Sequence, residues 1–185
     1  MHEQAFAWIA AQVARPRPTG GASPSVLEIG SLDINGSVRP LFAGASHYHG
    51  LDLVAGDGVD EVADASTWQP PRTYDVVVSA EVLEHAPPWR DILEMMWRAT
   101  APGGVLLMTC ATDGRAPHSA VDGLEVRDGE HYENVAARDV RALIAGWGID
   151  SWCLEWARDR GDLYVRADKP HPPPEIERVA RACRA

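Results

Sequence analysis

The feature that most constrains this chain is the stretch Val26-Leu27-Glu28-Ile29-Gly30-Ser31-Leu32-Asp33-Ile34-Asn35-Gly36-Ser37. A short apolar run carries an acid inside it, breaks at glycine, and passes through a polar loop to a second glycine before a helix start. Strand, acid, glycine turn and helix N-terminus in that order are how an open α/β sheet builds a nucleotide-type site. A carboxylate inside an apolar run is costly to bury without a partner, so Glu28 calls for an explanation beyond packing.

The flanking segments predict the sheet that such a motif needs. Residues 3–14 place Ala5, Phe6, Ile9, Ala10 and Val13 at helical spacing. Arg15–Gly21 then reads as a linker. Strands are expected at Ser25–Ile29, Tyr48–Leu53, Glu61–Ala63, Tyr74–Ser79 and Val105–Cys110. Further strands at Ile149–Ala157 and Asp162–Ala167 are joined by the hairpin-like Arg158–Gly161. Helices are expected at Ser37–Phe42 (one or two turns), Trp89–Thr100 and Val135–Gly146. The connection Val54–Asp60 is too short for a crossover helix, which takes about ten or more residues with its loops. Ala101-Pro102-Gly103-Gly104 reads as a turn. Ala111–Glu133 is a long polar segment, a length usually associated with a functional loop. Alternation of strands and helices up to the last pair predicts a mostly parallel sheet with one antiparallel C-terminal strand.

A chain of 185 residues is long enough for one substantial core, and residues 1–185 are read as a single domain: N-terminal helix and linker 1–20, core 25–167, and a Pro-rich tail with a short helix over 168–185. The formal net charge of −10 argues against a broad nucleic-acid-binding face. No apolar run approaches the roughly 20 residues of a membrane helix. Cys110, Cys153 and Cys183 form no paired motif and read as reduced thiols, which places the chain in the cytoplasm. A monomer or homodimer is expected.

Five segments in order resemble the class I S-adenosylmethionine-dependent methyltransferases over residues 25–167. They are Val26–Gly30, the strand-end Asp52, Asp64-Ala65, Ser79-Ala80-Glu81-Val82-Leu83-Glu84-His85, and Ala101-Pro102-Gly103-Gly104 with its following strand. The resemblance implies a three-layer, Rossmann-like α/β fold of about seven strands. It implies S-adenosylmethionine as cofactor, held by Glu28, Gly30, Ser31, Asn35, Asp52, Leu53, Asp64, Ala65, Ser79 and Glu81. In that reading Glu28 holds the ligand's ammonium, Asp52 the ribose hydroxyls and Asp64 the adenine amino group, while Ala65 leaves room for the ring. Gly30 lets the backbone pass close to the methionine part. The family's alternate glycines are replaced here by Leu32 and Ile34, with the next glycine at Gly36.

The implied activity is methyl transfer to an O, N or C of a small-molecule acceptor, by alignment of acceptor, methyl and sulfonium. The acceptor pocket is expected under Ala111–Glu133, with Ser79, Glu81, Thr109 and His131 as liners. His85, His118 and His131 are the candidate catalytic side chains, since a neutral imidazole takes a proton near pH 7. Trp68 is a candidate to flank the adenine. His47 and His49 read as surface or core residues. No metal site is expected, because His118, His131, Asp113 and Asp122 show no ligand spacing. A second class of function, an S-adenosylmethionine-binding regulatory or partner module without catalysis of its own, is motivated by the short 54–60 connection and the altered glycine loop.

Overall fold

The computed structural model describes residues 1–16 and 23–172. Most of the predicted linker and the tail beyond residue 172, with its expected helix, lie outside the described residues. The elements run α1 (Glu3–Val13), β1 (Ser25–Ile29), β2 (His47–Asp52), β3 (Glu61–Val62), β4 (Tyr74–Ala80), α2 (Trp89–Ala99), β5 (Thr100–Ala111), α3 (Ala137–Gly146), β6 (Trp152–Ala157) and β7 (Asp162–Asp168). They form one seven-stranded sheet in the order β3-β2-β1-β4-β5-β7-β6. β7 pairs antiparallel with both β5 and β6, while the β1–β5 pairings are parallel. The sheet is the mostly parallel, Rossmann-like one that the sequence predicts.

Strands covered on both faces are apolar at most positions, and their two-residue period sorts side chains to two cores. Leu27, Ile29, Val77, Leu106 and Met108 face one side, where α2 supplies Ile92, Leu93, Met95 and Met96 and α3 supplies Val140 and Ile144. Val26, Val76, Val78, Val105 and Leu107 face the other, against Ile9 of α1 and Phe42. Each fully buried aliphatic or Met side chain stabilises the fold by about 1.5–3 kcal/mol relative to exposure. This second layer is thin: between β1 and β2 there is only a 3-10 turn, Arg39–Phe42. The missing crossover helix is confirmed, because residues 53–60 between β2 and β3 form turns and bends alone.

Three local expectations need adjustment. Ala101–Gly104 is a bulged part of β5, not a turn: the β4–β5 register shifts between Tyr74 and Val76. Gly104 permits this, since a Cβ there would lie 2.9 Å from the carbonyl oxygens of Ala101 and Asp75. The helix expected from Val135 starts at Ala137, because Val135 is buried and donates its N–H to the Ala111 carbonyl at 3.0 Å. β6 starts at Trp152, after the left-handed turn at Gly148. Trp147 stacks on Trp97 at a 4.5 Å centroid distance, and it packs with Trp152 and Trp156 against the α2–α3 core.

Candidate active site

Parallel strands ending at one edge of the sheet carry their following loops to the same place, and ligands bind there in open α/β folds. Three contiguous cavities lie along this edge. The first, about 310 Å³, runs over Glu28, Gly30, Ser31 and Asp52 to Glu81 and His85. The second, also about 310 Å³, lies on the α2 side between Asp52, Asp64, Ala65, Pro88 and Ile92. These two share Gly30, Asp52, Leu53, Val82, His85 and Ala86. The third, about 230 Å³ and strongly polar, is walled by His2, Glu81, His85, Arg115, His118 and Asp122 under the 112–136 segment.

In the first cavity Glu28 is 4 % exposed and accepts the Tyr48 hydroxyl hydrogen bond at Oε2, at 2.6 Å. Burial pushes its carboxyl up to about 7, against the opposing effects of Tyr48 and the Arg39 guanidinium. Asp52 is oriented by two backbone donors, Leu32 N–H to Oδ2 at 3.0 Å and Val54 N–H to Oδ1 at 3.1 Å. Ser31 is buried, and its Oγ has no hydrogen-bond partner among the described residues. Leu53 is exposed at the shared rim. Asn35 lines the first and third cavities, and its Nδ2 donates to the Val121 carbonyl at 2.8 Å, tying the glycine loop to the 112–136 segment.

Gly30 has φ +77°, and a Cβ there would lie 2.1 Å from Val82 Cγ2. The close approach the glycine permits is thus to the segment after β4 as well as to the cavity. In the second cavity the Asp64 carboxylate accepts from Ser66 N and Oγ, which hold it below its ordinary pKa, and Ala65 is buried in the wall.

Glu81 adopts φ +59°, the only left-handed non-glycine backbone among the described residues. Such a conformation at a cavity wall is the kind of strain that clusters at functional sites. Its carboxylate lies 3.1 Å from His2 Nε2. Burial pushes Glu81 up, but the His2 hydrogen bond and charge outweigh it and leave it below its ordinary value. The Glu81 hydrogen bond and charge in turn raise His2.

The structure separates the sequence candidates. Ser79 is fully buried, donates to the Ile29 carbonyl at 3.1 Å, and lines none of the three cavities. Thr109 is likewise buried within β5, so of the four expected acceptor-pocket liners only Glu81 reaches the polar cavity. His85 borders all three cavities, and burial lowers its pKa. His118 faces the polar one. The His131 ring instead sits 4.0 Å from Glu133, and the residue meets the site through its carbonyl, 3.3 Å from His85 Nδ1. Trp68 is a core residue donating to Glu61 at 2.8 Å, not an exposed flank. His49 bonds the Tyr74 hydroxyl at 2.8 Å.

Sequence reasoning missed Tyr48 and Arg115 as parts of the site, and it named Val82 and Glu84 only within the 79–85 segment, with no role of their own. Tyr48 had a signal, its place on β2 two residues from Gly50, the register partner of Glu28, and so on the same face; Arg115, held 2.7 Å from Asp162 by a loop, had none.

Residues 1–154 match the family model described as Methyltransferase domain. The chain is a member of that family. No curated protein sequence matches this methyltransferase. Among solved structures it is similar to the sugar N-methyltransferase KedS8 from Streptoalloteichus sp. (16 % identity, 90 % of this chain and 87 % of that one, TM-score 0.64). It is also similar to the N-methyltransferase NodS from Bradyrhizobium japonicum in complex with S-adenosylhomocysteine (20 %, 90 % and 88 %, 0.57). A third is the Burkholderia thailandensis 1,6-didemethyltoxoflavin-N1-methyltransferase, with bound 1,6-didemethyltoxoflavin and S-adenosylhomocysteine (16 %, 91 % and 77 %, 0.58). The predicted fold, enzyme class and methyl donor of this methyltransferase, S-adenosylmethionine, all stand.

The cavities fit that donor. Among the described residues Glu28 is a buried carboxylate with no cation in contact and Ser31 Oγ is an unpartnered buried hydroxyl, while Gly30 keeps the cavity floor free of a side chain. The second cavity adds an apolar slot with one carboxylate at its rim.

Proposed function

We propose that this methyltransferase moves a methyl group from S-adenosylmethionine to a nucleophilic O, N or C of a small polar molecule. The observation that carries the reading is the juxtaposition of a two-part donor cleft with a separate polar cavity, joined at Glu81 and His85. When bound, the cofactor supplies an activated methyl on a sulfonium. The chain's own residues supply position and exclude water. Glu28 holds the ammonium, with Ser31 beside it. Asp52 receives the ribose hydroxyls, because its orientation is set by Leu32 and Val54 N–H groups. Asp64 and Ala65 take the adenine edge and face. Gly30, Leu53 and Asn35 shape the floor and rim, and Glu81 divides donor from acceptor. The acceptor sits in the polar cavity between Glu81, Arg115 and His118, with the His85 and His118 imidazoles placed to handle its proton.

The polar cavity is small and is bordered by Arg115, His118 and Asp122 of the 112–136 segment, which suits a small-molecule acceptor over a nucleic acid or protein; the net charge of −10 agrees. The single unit, as monomer or homodimer, houses both halves of the site. Among the described residues no helix is long and apolar enough to cross a membrane, and Cys110 and Cys153 are unpaired, in keeping with a reducing cytoplasm.

Calorimetry with S-adenosylmethionine and S-adenosylhomocysteine tests the donor half: both bind, and E28Q and D52N each weaken them at least tenfold. No binding of either sinks the proposal. A methyl-transfer screen against small-molecule extracts then tests catalysis. Binding without any turnover would favour a cofactor-binding module instead.

A further inference from the structure

We propose that Glu84, His85 and His118 form a binding site for one divalent transition-metal ion in the wall of the acceptor cavity. A carboxylate oxygen of Glu84 and one ring nitrogen from each histidine lie within 4.8 Å of one another. Metal–ligand bonds of about 2.0–2.2 Å place ligand atoms roughly 3–4 Å apart, so little closure is needed, and His118 is carried by an irregular segment.

The independent observation is the state of Glu84. The residue is fully buried, its Oε1 accepts the Ala111 N–H at 3.0 Å, and its Oε2 is buried with no partner among the described residues. An ionised Glu84 therefore has no bonded cation, and a protonated one has no acceptor for its hydroxyl. Neither state is satisfied by the protein alone, and buried groups of this kind signal a missing ligand.

Both histidines are prepared in the same sense. His85 Nδ1 faces the His131 carbonyl at 3.3 Å, and His118 Nδ1 faces the Ala116 carbonyl at 3.1 Å. Donation from Nδ1–H to a carbonyl leaves the Nε2 lone pair free, which is how backbone carbonyls orient metal-binding imidazoles. The two rings meet edge-to-face, 5.2 Å between centroids, so they cannot simply stack. His85 and His118 both line the polar cavity, which leaves any further coordination positions open to an acceptor.

One carboxylate and two imidazoles suit zinc, cobalt, iron or manganese better than calcium or magnesium, which prefer all-oxygen sets. Where the acceptor reading holds, the ion would polarise the acceptor's oxygen or nitrogen. With the ion bound the two imidazoles act as ligands, and they are placed to handle the acceptor's proton when it is not. The metal site itself stands on the three side chains, whatever the acceptor.

The test is a cobalt(II) titration of chelator-stripped full-length protein without S-adenosylmethionine, read by visible absorption and by calorimetry, with zinc(II) as competitor. One equivalent should bind with ligand-field bands that zinc abolishes. H118A, on the irregular segment, should weaken binding at least tenfold and remove the bands while keeping the native circular dichroism. E84Q should do the same, and H118A carries the test if E84Q does not fold. Absence of stoichiometric binding overturns the proposal, as does binding that H118A leaves unchanged, which places the metal elsewhere. S-adenosylhomocysteine calorimetry on the same samples reports on the methyltransferase reading separately.

Discussion

Glu28 is placed where folding and function pull in opposite directions. The unfolded chain has it near its ordinary value of 4.5, while burial in the fold raises it to about 7. The free enzyme therefore loses stability as pH rises from about 4.5 to 7, by an amount on the order of 3 kcal/mol. A cationic ammonium reverses the preference, because it pairs only with the ionised form. Donor affinity should fall as pH drops below about 7, approaching tenfold per unit, and calorimetry across pH 5.5–8.5 checks this. E28Q, which still accepts from Tyr48, should flatten that profile and raise the melting temperature at pH 8 but not at pH 5. A different constraint acts at Gly30. G30A meets both an unfavourable φ and the Val82 side chain, so it should destabilise by about 2–4 kcal/mol in urea denaturation. V82A in the same chain should recover only the steric part.

At the scale of elements, the two departures from the family pattern are one feature. Leu32 and Ile34 fill positions where glycines would give room, and the room reappears across the cleft in the segment that replaces a crossover helix. A Cβ at Gly56 would lie 2.3 Å from Leu32 Cδ1, and one at Gly58 would lie 2.5 Å from the Ser31 carbonyl oxygen. Asp33 N–H donates to the Asp57 carbonyl at 2.9 Å, and Gly36 N–H to Asp33 Oδ1 at 3.0 Å. The bulk has moved to the first loop and the glycines to the second. G58A combines φ +88° with a backbone collision, so it should cost about 1–3 kcal/mol and weaken S-adenosylhomocysteine binding several-fold. G44A, with open space around its Cβ, is the matched control and should change neither by more than about 0.5 kcal/mol.

Across the whole molecule, one buried contact fixes α1 to the far end of the sheet. Arg166 of β7 is 4 % exposed, donates to the Gln12 carbonyl at 3.2 Å, and pairs with Asp168 at 2.7 Å. α1 in turn carries His2 into the wall of the acceptor cavity, beside Glu81. R166M would remove the guanidinium from Asp168, which keeps the Ser151 hydroxyl, and leave the Gln12 carbonyl with the Arg15 N–H alone, for a loss of about 2 kcal/mol. Because the same change loosens α1, the acceptor KM should rise while donor affinity holds, which steady-state kinetics and calorimetry separate.

The sheet was legible in the sequence because strands buried on both faces read as apolar runs, and those runs cannot be satisfied except inside a covered sheet. Glu28, Asp52, Asp64 and Glu81 were legible through the ordered segments that resemble the methyltransferase family, which name the acids in and after the strands. What the sequence could not supply depended on long-range packing. Glu84 and His85 are adjacent in the chain, but only the path of residues 112–136 brings His118 to them, and no local period specifies that path. Ser79 failed as a cavity residue because the β1–β4 register turns its hydroxyl to the Ile29 carbonyl. The chain by itself determined which residues are inside and which acids stand at the sheet's edge, since burial and strand period are local properties. Only the tertiary structure decided which of those side chains meet, because contact across loops is settled by how the whole sheet and its covering segments close together.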